Sequence, residues 1–186
     1  MKIPRKSLEE TLIFLLRLLA FSLPLYLILS LGTGLEPLQV AFATQSNYLL
    51  SLMRFEVEQE LSMLSVSHEG DKQPFVFVIS PDSTAWKTML FLAALVFAVP
   101  RVRIKYRVIG TVTGIIILWT FNLVRVITIV HAENAWGLET ALFVHDVLWE
   151  LGLTGVTVAV WAVWMVKAKA FRYPSGLNFR SRSSAE

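Results

Sequence analysis

Long apolar runs separated by short polar segments dominate this sequence. Four of them approach or exceed the roughly 20 apolar residues that a helix needs to cross a bilayer. They lie at about 11–31, 84–100, 108–130 and 142–166. The pattern therefore predicts a mainly α-helical fold, a polytopic membrane helix bundle of about four transmembrane helices.

The first apolar run has a clear start. Ser7-Leu8-Glu9-Glu10 fits a capping box, with Ser7 as the N-cap and Glu10 reaching back to it. The run exceeds the 7–15 apolar residues typical of a secretory signal, and the small-residue site at 41–43 lies well past its end. We therefore predict a retained anchor, kinked at Pro24.

The segment 32–83 is more polar than the four apolar runs, and part of it alternates between apolar and polar residues at the period of a β-strand. In 36–53 the apolar residues fall on one helical face, which predicts an amphipathic helix at the membrane interface. Residues 54–58 alternate at period two, 74–79 are rich in β-formers, and 69–72 contain turn residues. We predict a small β-hairpin over 54–80. The helical face is formed by Leu38, Phe42, Leu49, Leu52 and Met53, opposite Gln39, Thr44, Gln45 and Ser46.

Basic residues indicate the orientation of the spans, because cytoplasmic loops are enriched in Lys and Arg. The segment 32–83 has only Arg54 and Lys72 against seven acids, and 131–141 has no basic residue. Four spans with both termini inside place every basic cluster in the cytoplasm, whereas a fifth span at 36–53 would put one outside. The clusters are Lys2, Arg5 and Lys6; Arg101, Arg103, Lys105 and Arg107; and Lys167, Lys169, Arg172, Arg180 and Arg182.

This topology and the composition favour a single membrane domain, 1–186. It has an extracytoplasmic insert at 32–83, a cytoplasmic tail at 167–186, and lies in the cytoplasmic membrane. Of the 186 residues, 55% are hydrophobic and 17% charged, against about 25% charged in soluble domains. The net charge of +3 forms no continuous patch, so no nucleic-acid partner is expected. Cysteine is absent, which excludes disulfides and thiolate metal sites.

Several polar residues share one depth near the outer ends of the predicted spans. An ionisable residue inside a span is a candidate functional residue, because a charge at the bilayer centre costs roughly 2.5–3.5 kcal/mol. The argument is strongest for Arg125, which lies one to two turns inside the third span. The set comprises Asp82, Ser83, Thr84, Asn122, Arg125, His145, Asp146 and Glu150.

Each of these residues also has a structural explanation. Arg125 could reach outward to water or pair with Asp146 or Glu150, and His145 could be a polar helix-end residue. Asp82, Ser83 and Thr84 are ordinary N-cap residues, and Lys87, Trp86, Trp136 and Trp149 suit interface anchors. His68 and His131 lack ligand spacing, so neither a metal nor another cofactor is expected. The convergence of the polar residues on one face favours a site.

Position 83 is where a nucleophile would benefit most from its surroundings. At a helix N-terminus, unpaired N–H groups favour an anion, and a cysteine there would ionise readily. His145 suits a general acid or base, and Arg125 suits stabilisation of an oxyanion. This combination predicts acyl transfer.

Three blocks of the sequence resemble the exosortase/archaeosortase family of membrane cysteine transpeptidases, over roughly 36–167. They are Asp82-Ser83-Thr84-Ala85-Trp86-Lys87, Asn122-Leu123-Val124-Arg125-Val126, and His145-Asp146 followed by Leu151-Gly152. The resemblance implies cleavage of C-terminal sorting signals of secreted proteins at the extracytoplasmic membrane face, and transfer of the new acyl end to an amine on a lipid. It implies Ser83, Arg125 and His145 as catalytic residues, supported by Asn122, Asp82 and Asp146.

The sequence departs from the family at the nucleophile. Position 83 is Ser where the family has Cys, and Ala85 stands where Gly is common. Either a Cys→Ser change has disabled the protein, or serine is the natural nucleophile and needs His145 as its base. A conservative exchange in an otherwise matching chain favours the disabled variant.

Two other functions are compatible with the sequence. An intramembrane serine hydrolase would use Ser83 directly, although no Gly-x-Ser-x-Gly motif surrounds it. A non-catalytic transporter or assembly factor would use Arg125 as a buried ion-pair anchor, although the sequence has neither inverted repeats nor Gly- or Pro-broken spans at matching positions.

Overall fold

The computed structural model describes residues 5–31, 34–67 and 74–168. Within these ranges the fold is mainly helical, as predicted, with one small antiparallel sheet. In chain order the elements are α1 (Arg5–Leu31), α2 (Glu36–Leu52), β1 (Glu56–Glu60), β2 (Met63–Ser67), β3 (Phe75–Val78), a 3₁₀ turn (Asp82–Thr84), α3 (Trp86–Ala98), α4 (Ile104–Trp136), α5 (Leu138–Val147), a π turn (Leu148–Gly152) and α6 (Leu153–Ala168).

Two helix boundaries differ from the sequence prediction. Helix α1 already includes Arg5, so Ser7 is not its N-cap. The predicted loop at 131–141 is helical except for Gly137, because α4 continues to Trp136 and α5 begins at Leu138. Gly137 has a φ of 85°, a conformation that glycine adopts without strain. The chain therefore reverses between α4 and α5 at a single residue.

The described helices include two that are long and apolar enough to cross a membrane. These are Leu8–Ile28 within α1, and α4. Helices α3 and α6 are apolar but shorter; α6 continues the helical path of α5 through the π turn. The number of spans and their orientation stay predictions.

The insert between α1 and α3 contains a three-stranded sheet rather than the predicted hairpin. The strand order is β1-β2-β3, with Val57 opposite Val66 and Leu64 opposite Phe77. The middle strand, β2, was missed, although its sequence alternates and it buries Leu64 and Val66. The predicted turn at 69–72 lies outside the described residues, as does the tail from 169.

Helix α2 and the sheet pack on the half of α4 that ends at Trp136. The predicted separation of polar and apolar faces on α2 is partly wrong. Ser46 is fully buried, and Gln45 accepts a hydrogen bond from Trp119 Nε1 at 2.7 Å, whereas Leu52 is 64% exposed. The shared core, called the insert core below, contains Phe42, Ala43, Leu50, Phe55, Leu64, Val66, Ile79, Leu123, Val126 and Val130.

A second core joins α3, α4 and α6. Gly110 and Gly114 on α4 allow the close approach, since an added Cβ at these positions would overlap Trp164 and Leu92 respectively. Small residues commonly let membrane helices pack this closely. This helical core contains Ala85, Met89, Leu92, Val96, Leu118 and Leu153. Residues 80–84 connect Ile79 of the insert core to Ala85 of the helical core.

Candidate active site

Ser83 lies in the short 3₁₀ turn between β3 and α3. Its amide donates to the Ser80 carbonyl at 3.0 Å, and its Oγ lies 2.9 Å from Ser80 Oγ. The Thr84 amide and hydroxyl both donate to the Pro81 carbonyl, at 3.1 and 2.7 Å. The turn is therefore held by its own hydrogen bonds.

Ser83 precedes α3 instead of opening it. The helix begins at Trp86 with Ala85 as N-cap, and no side chain caps it. The explanation of Asp82, Ser83 and Thr84 as N-cap residues is therefore wrong; Asp82 instead pairs with Lys87 at 2.7 Å. The Ser83 amide is bonded within the turn, so it is not one of the unpaired amides at the start of α3.

Ala85 adopts a left-handed conformation, with φ 61° and ψ 17°. This conformation costs a non-glycine residue roughly 1–2 kcal/mol, whereas glycine enters it freely. The backbone thus gives a physical reason for glycine at this position, and the alanine here is strained.

Asn122 connects α4 to the turn. Its side chain is fully buried, and its Nδ2 donates to the Ser83 carbonyl at 2.6 Å. The Asn122 Oδ1 atom is buried without a hydrogen-bond partner. Asn122 therefore holds Ser83 by its main-chain carbonyl, and the Ser83 hydroxyl contacts Ser80 instead.

Arg125 lies one turn further along α4 and is only 2% exposed. Its Nε and Nη1 atoms are buried without hydrogen-bond partners, and its guanidinium carbon lies 4.9 Å from the centre of the Trp149 ring. An arginine that reaches outward to water is therefore excluded. The described ion pairs contain none between Arg125 and Asp146, and the side chain of Glu150, the other predicted partner, lies outside the described residues.

His145 extends from α5 and its side chain is 40% exposed. Its Nδ1 lies 3.1 Å from Asp146 Oδ1, but Asp146 is 78% exposed, so this pair contributes little energy. The imidazole is parallel to the Trp149 ring, with an interplanar angle of 6° and centres 6.2 Å apart. Trp149, which the sequence suggested as an interface anchor, thus contacts both His145 and Arg125.

One cavity of about 290 Å³ brings the three predicted catalytic residues together. Ser83 from the turn, Arg125 from α4 and His145 from α5 all line it, whereas Asn122, Asp82 and Asp146 do not. The remaining lining is apolar: Phe75, Val76, Phe77, Val78, Ile79, Val126, Ile129, Leu138, Ala141 and Leu142. Within the described residues, no three His, Asp or Glu side chains are grouped to hold a metal ion.

Sequence reasoning missed two residues next to the site. Ser80 contacts the Ser83 hydroxyl, and the signal available was only a serine three residues earlier, the spacing of one turn. Trp149 follows His145 by four residues, which places both on one helical face. The π turn that carries Trp149 gives no recognisable sequence pattern.

Residues 6–165 match the model of the transmembrane exosortase family. The chain belongs to this family. Membership confirms the resemblance and supports a membrane transpeptidase of the exosortase kind, whose family acts on C-terminal sorting signals of substrate proteins. No curated protein and no solved structure matches this exosortase chain.

Proposed function

We propose that this exosortase cleaves C-terminal sorting signals of secreted proteins and transfers the new acyl end to an amine on a membrane lipid. The observation that carries the proposal is the cavity lined by Ser83, Arg125 and His145, each from a different element. Its predominantly apolar wall suits an apolar peptide segment. Arg125 supplies a buried cation whose Nε and Nη1 atoms have no hydrogen-bond partner among the described residues.

The reaction assigns one role to each residue. The nucleophile at 83 attacks the scissile carbonyl and loses its proton to His145, while Arg125 stabilises the oxyanion. His145 then gives this proton to the leaving amine as the C–N bond breaks, leaving an acyl-enzyme. The acceptor amine attacks the acyl-enzyme, loses a proton to His145, and leaves as an amide while residue 83 is reprotonated.

The surroundings of Ser83 support the disabled-variant explanation. Serine needs a base for deprotonation, yet its hydroxyl contacts Ser80 rather than His145 in the described structure. The amides at the start of α3 cannot replace that base, because N–H groups donate hydrogen bonds and do not accept a proton. A thiol in the same place would ionise far more readily.

The proposed topology has four spans, with both termini in the cytoplasm and the insert outside the cytoplasmic membrane. The position of the cavity supports it. The cavity lies between the insert and the end of α4 near Trp136, far along that helix from the basic segment at 101–107. Substrates that arrive after secretion would reach this end.

The test is the Ser83→Cys protein in lipid nanodiscs, offered C-terminal sorting-signal peptides and analysed by mass spectrometry. We expect cleavage and a trapped thioester at residue 83. Ser80→Cys is the matched control, since it places a thiol one turn away, and it should form neither product. A folded Ser83→Cys protein that neither cleaves nor acylates contradicts the proposal.

A serine hydrolase is the second candidate, because the Ser83 hydroxyl itself lines the cavity. A fluorophosphonate probe distinguishes the two. Labelling of the unaltered protein that disappears in Ser83→Ala would establish serine as a competent nucleophile. Absence of labelling, together with acylation of Ser83→Cys, would establish the thiol chemistry.

A further inference from the structure

Strand β3 lies at the edge of the sheet among the described residues. The Ile79 amide donates to the Ser62 carbonyl at 2.8 Å, on the side of β2. Main-chain groups in an antiparallel strand alternate between its two sides, so those of Phe75 and Phe77 also point to β2. The amides and carbonyls of Val76 and Val78 therefore point away from the sheet.

The cavity follows this outer edge. Successive side chains of a strand point to opposite faces, so a cavity against one face would be lined by alternate residues. Here five consecutive residues, 75–79, all line it. No residue of β2 does, which places the cavity along the side of β3 that carries the free main-chain groups of Val76 and Val78.

The same edge leads directly to the candidate nucleophile. The chain passes from Ile79 through Ser80, Pro81 and Asp82 to Ser83, so one end of the edge lies beside the site. Leu138, Ala141 and Leu142 of α5 form apolar wall elsewhere in the cavity. The cavity thus combines a row of main-chain partners with apolar surface and a reactive end.

We propose that the substrate binds as an added strand on the outer edge of β3. Its main chain hydrogen-bonds with the amides and carbonyls of Val76 and Val78, and its scissile end lies at Ser83 and Arg125. This mode takes an extended, apolar peptide segment, because main-chain bonds supply affinity while alternate side chains enter the apolar cavity. The identity of the peptide as a sorting signal rests on the proposed function; the strand pairing does not.

The experiment measures peptide binding without requiring turnover. A random 12-residue phage library is selected on the protein in nanodiscs, with empty nanodiscs as counterselection, and the best peptide is labelled for fluorescence anisotropy. Val76→Pro and Val78→Pro each remove one outward amide without removing an amide that faces β2. We expect each to weaken binding roughly tenfold or more, since a hydrogen bond is lost and the ring obstructs the edge.

Val76→Ala is the comparison variant at the same position: it shortens the side chain but keeps the amide, so it should weaken binding less than Val76→Pro does. If a proline variant misfolds, a scan of N-methylated peptides on the unaltered protein takes its place. N-methylation should weaken binding at every second residue of the peptide. The proposal is overturned if no peptide is enriched, if both folded proline variants bind normally, or if the scan lacks this period. The last two results would assign the exposed valines to contact with lipid. Failure of the Ser83→Cys cleavage test alongside intact strand binding would remove only the proposed function.

Discussion

The guanidinium of Arg125 lies over the ring of Trp149, 4.9 Å from its centre, and the same ring is parallel to the imidazole of His145. A cation held over an indole away from water gains about 2 kcal/mol. One side chain from the π turn therefore orients two of the three residues proposed for catalysis. Such π turns occur frequently at functional sites.

Replacing Trp149 should impair the reaction more than binding. In the Ser83→Cys background we expect Trp149→Leu to lower kcat roughly tenfold or more with little change in KM, since the cation–π contribution is lost. Trp149→Phe, which keeps an aromatic face, should recover part of the rate. Trp136→Leu is the control, because Trp136 is 73% exposed and does not line the cavity. A loss confined to KM would contradict this role.

Arg125 and Arg107 allow a comparison within α4. Arg125→Leu should abolish acylation while leaving the Tm unchanged or higher, because no described side chain forms an ion pair with Arg125, and an apolar side chain removes the cost of burying its charge. Arg107→Leu should lower stability by about 1–3 kcal/mol, since Arg107 donates to the carbonyls of Phe97 and Val99 at 3.0 and 2.8 Å. If Arg125→Leu is as destabilising as Arg107→Leu, Arg125 is a structural anchor.

Asn122→Asp keeps the shape of the side chain but removes the donor to the Ser83 carbonyl. Two oxygens would then face each other in a buried place, so we expect a loss of about 1–3 kcal/mol in unfolding free energy and slower acylation. Asn47→Asp is the control, since Asn47 Nδ2 donates a long hydrogen bond of 3.4 Å to Gln59, while the Oδ1 atom that accepts from Ser51 is kept. Chemical denaturation and burst kinetics measure the two effects; equal stability of both variants would refute the positioning role.

The sequence predicted which polar residues line the cavity better than it predicted the local geometry around Ser83. Residues 83, 125 and 145 were assigned from charge, depth and resemblance, and they do line one cavity. The start of α3 was missed because local propensity does not reveal that Ala85 turns left-handed, which ends the 3₁₀ turn before the helix begins. That conformation is fixed by tertiary packing, since Ala85 is buried in the helical core.

Strand β2 was missed for a related reason. Five residues with two apolar side chains are a weak local signal, and the pairing with β1 and β3 becomes favourable only when Leu64 and Val66 are buried against α4 and α2. The long helices were predictable because their apolar runs are long, although sequence alone did not indicate the helical continuation from 131 to Trp136.

The strain at Ala85 can be measured directly. Ala85→Gly should keep the unfolding free energy within about 1 kcal/mol, since relief of the left-handed strain offsets the greater freedom of the unfolded chain. Ala85→Val should be markedly destabilising, because a β-branched residue is an outlier at positive φ. Ala94→Val, equally buried but helical, isolates the packing contribution. Equal losses for the two valine variants would mean that backbone strain is unimportant.

Close helix packing at Gly110 gives a separate prediction on stability. Gly110→Ala should lower the unfolding free energy by about 1–3 kcal/mol, because the added methyl overlaps the Trp164 ring. Gly155→Ala is the control: nothing lies within 4 Å of its added Cβ, so helix propensity should raise stability by about 0.5–1 kcal/mol. Thermal unfolding in one detergent compares both. A stable Gly110→Ala protein would show that α4 and α6 separate easily.

Residues 80–84 belong to neither hydrophobic core, yet each end is fixed in one: Ile79 in the insert core and Ala85 in the helical core. If these cores open as separate cooperative units, the amides of the turn exchange with solvent whenever either unit opens. Hydrogen exchange at Ser83 would then follow the less stable unit. Catalytic competence would be lost as soon as the less stable of the two units unfolds.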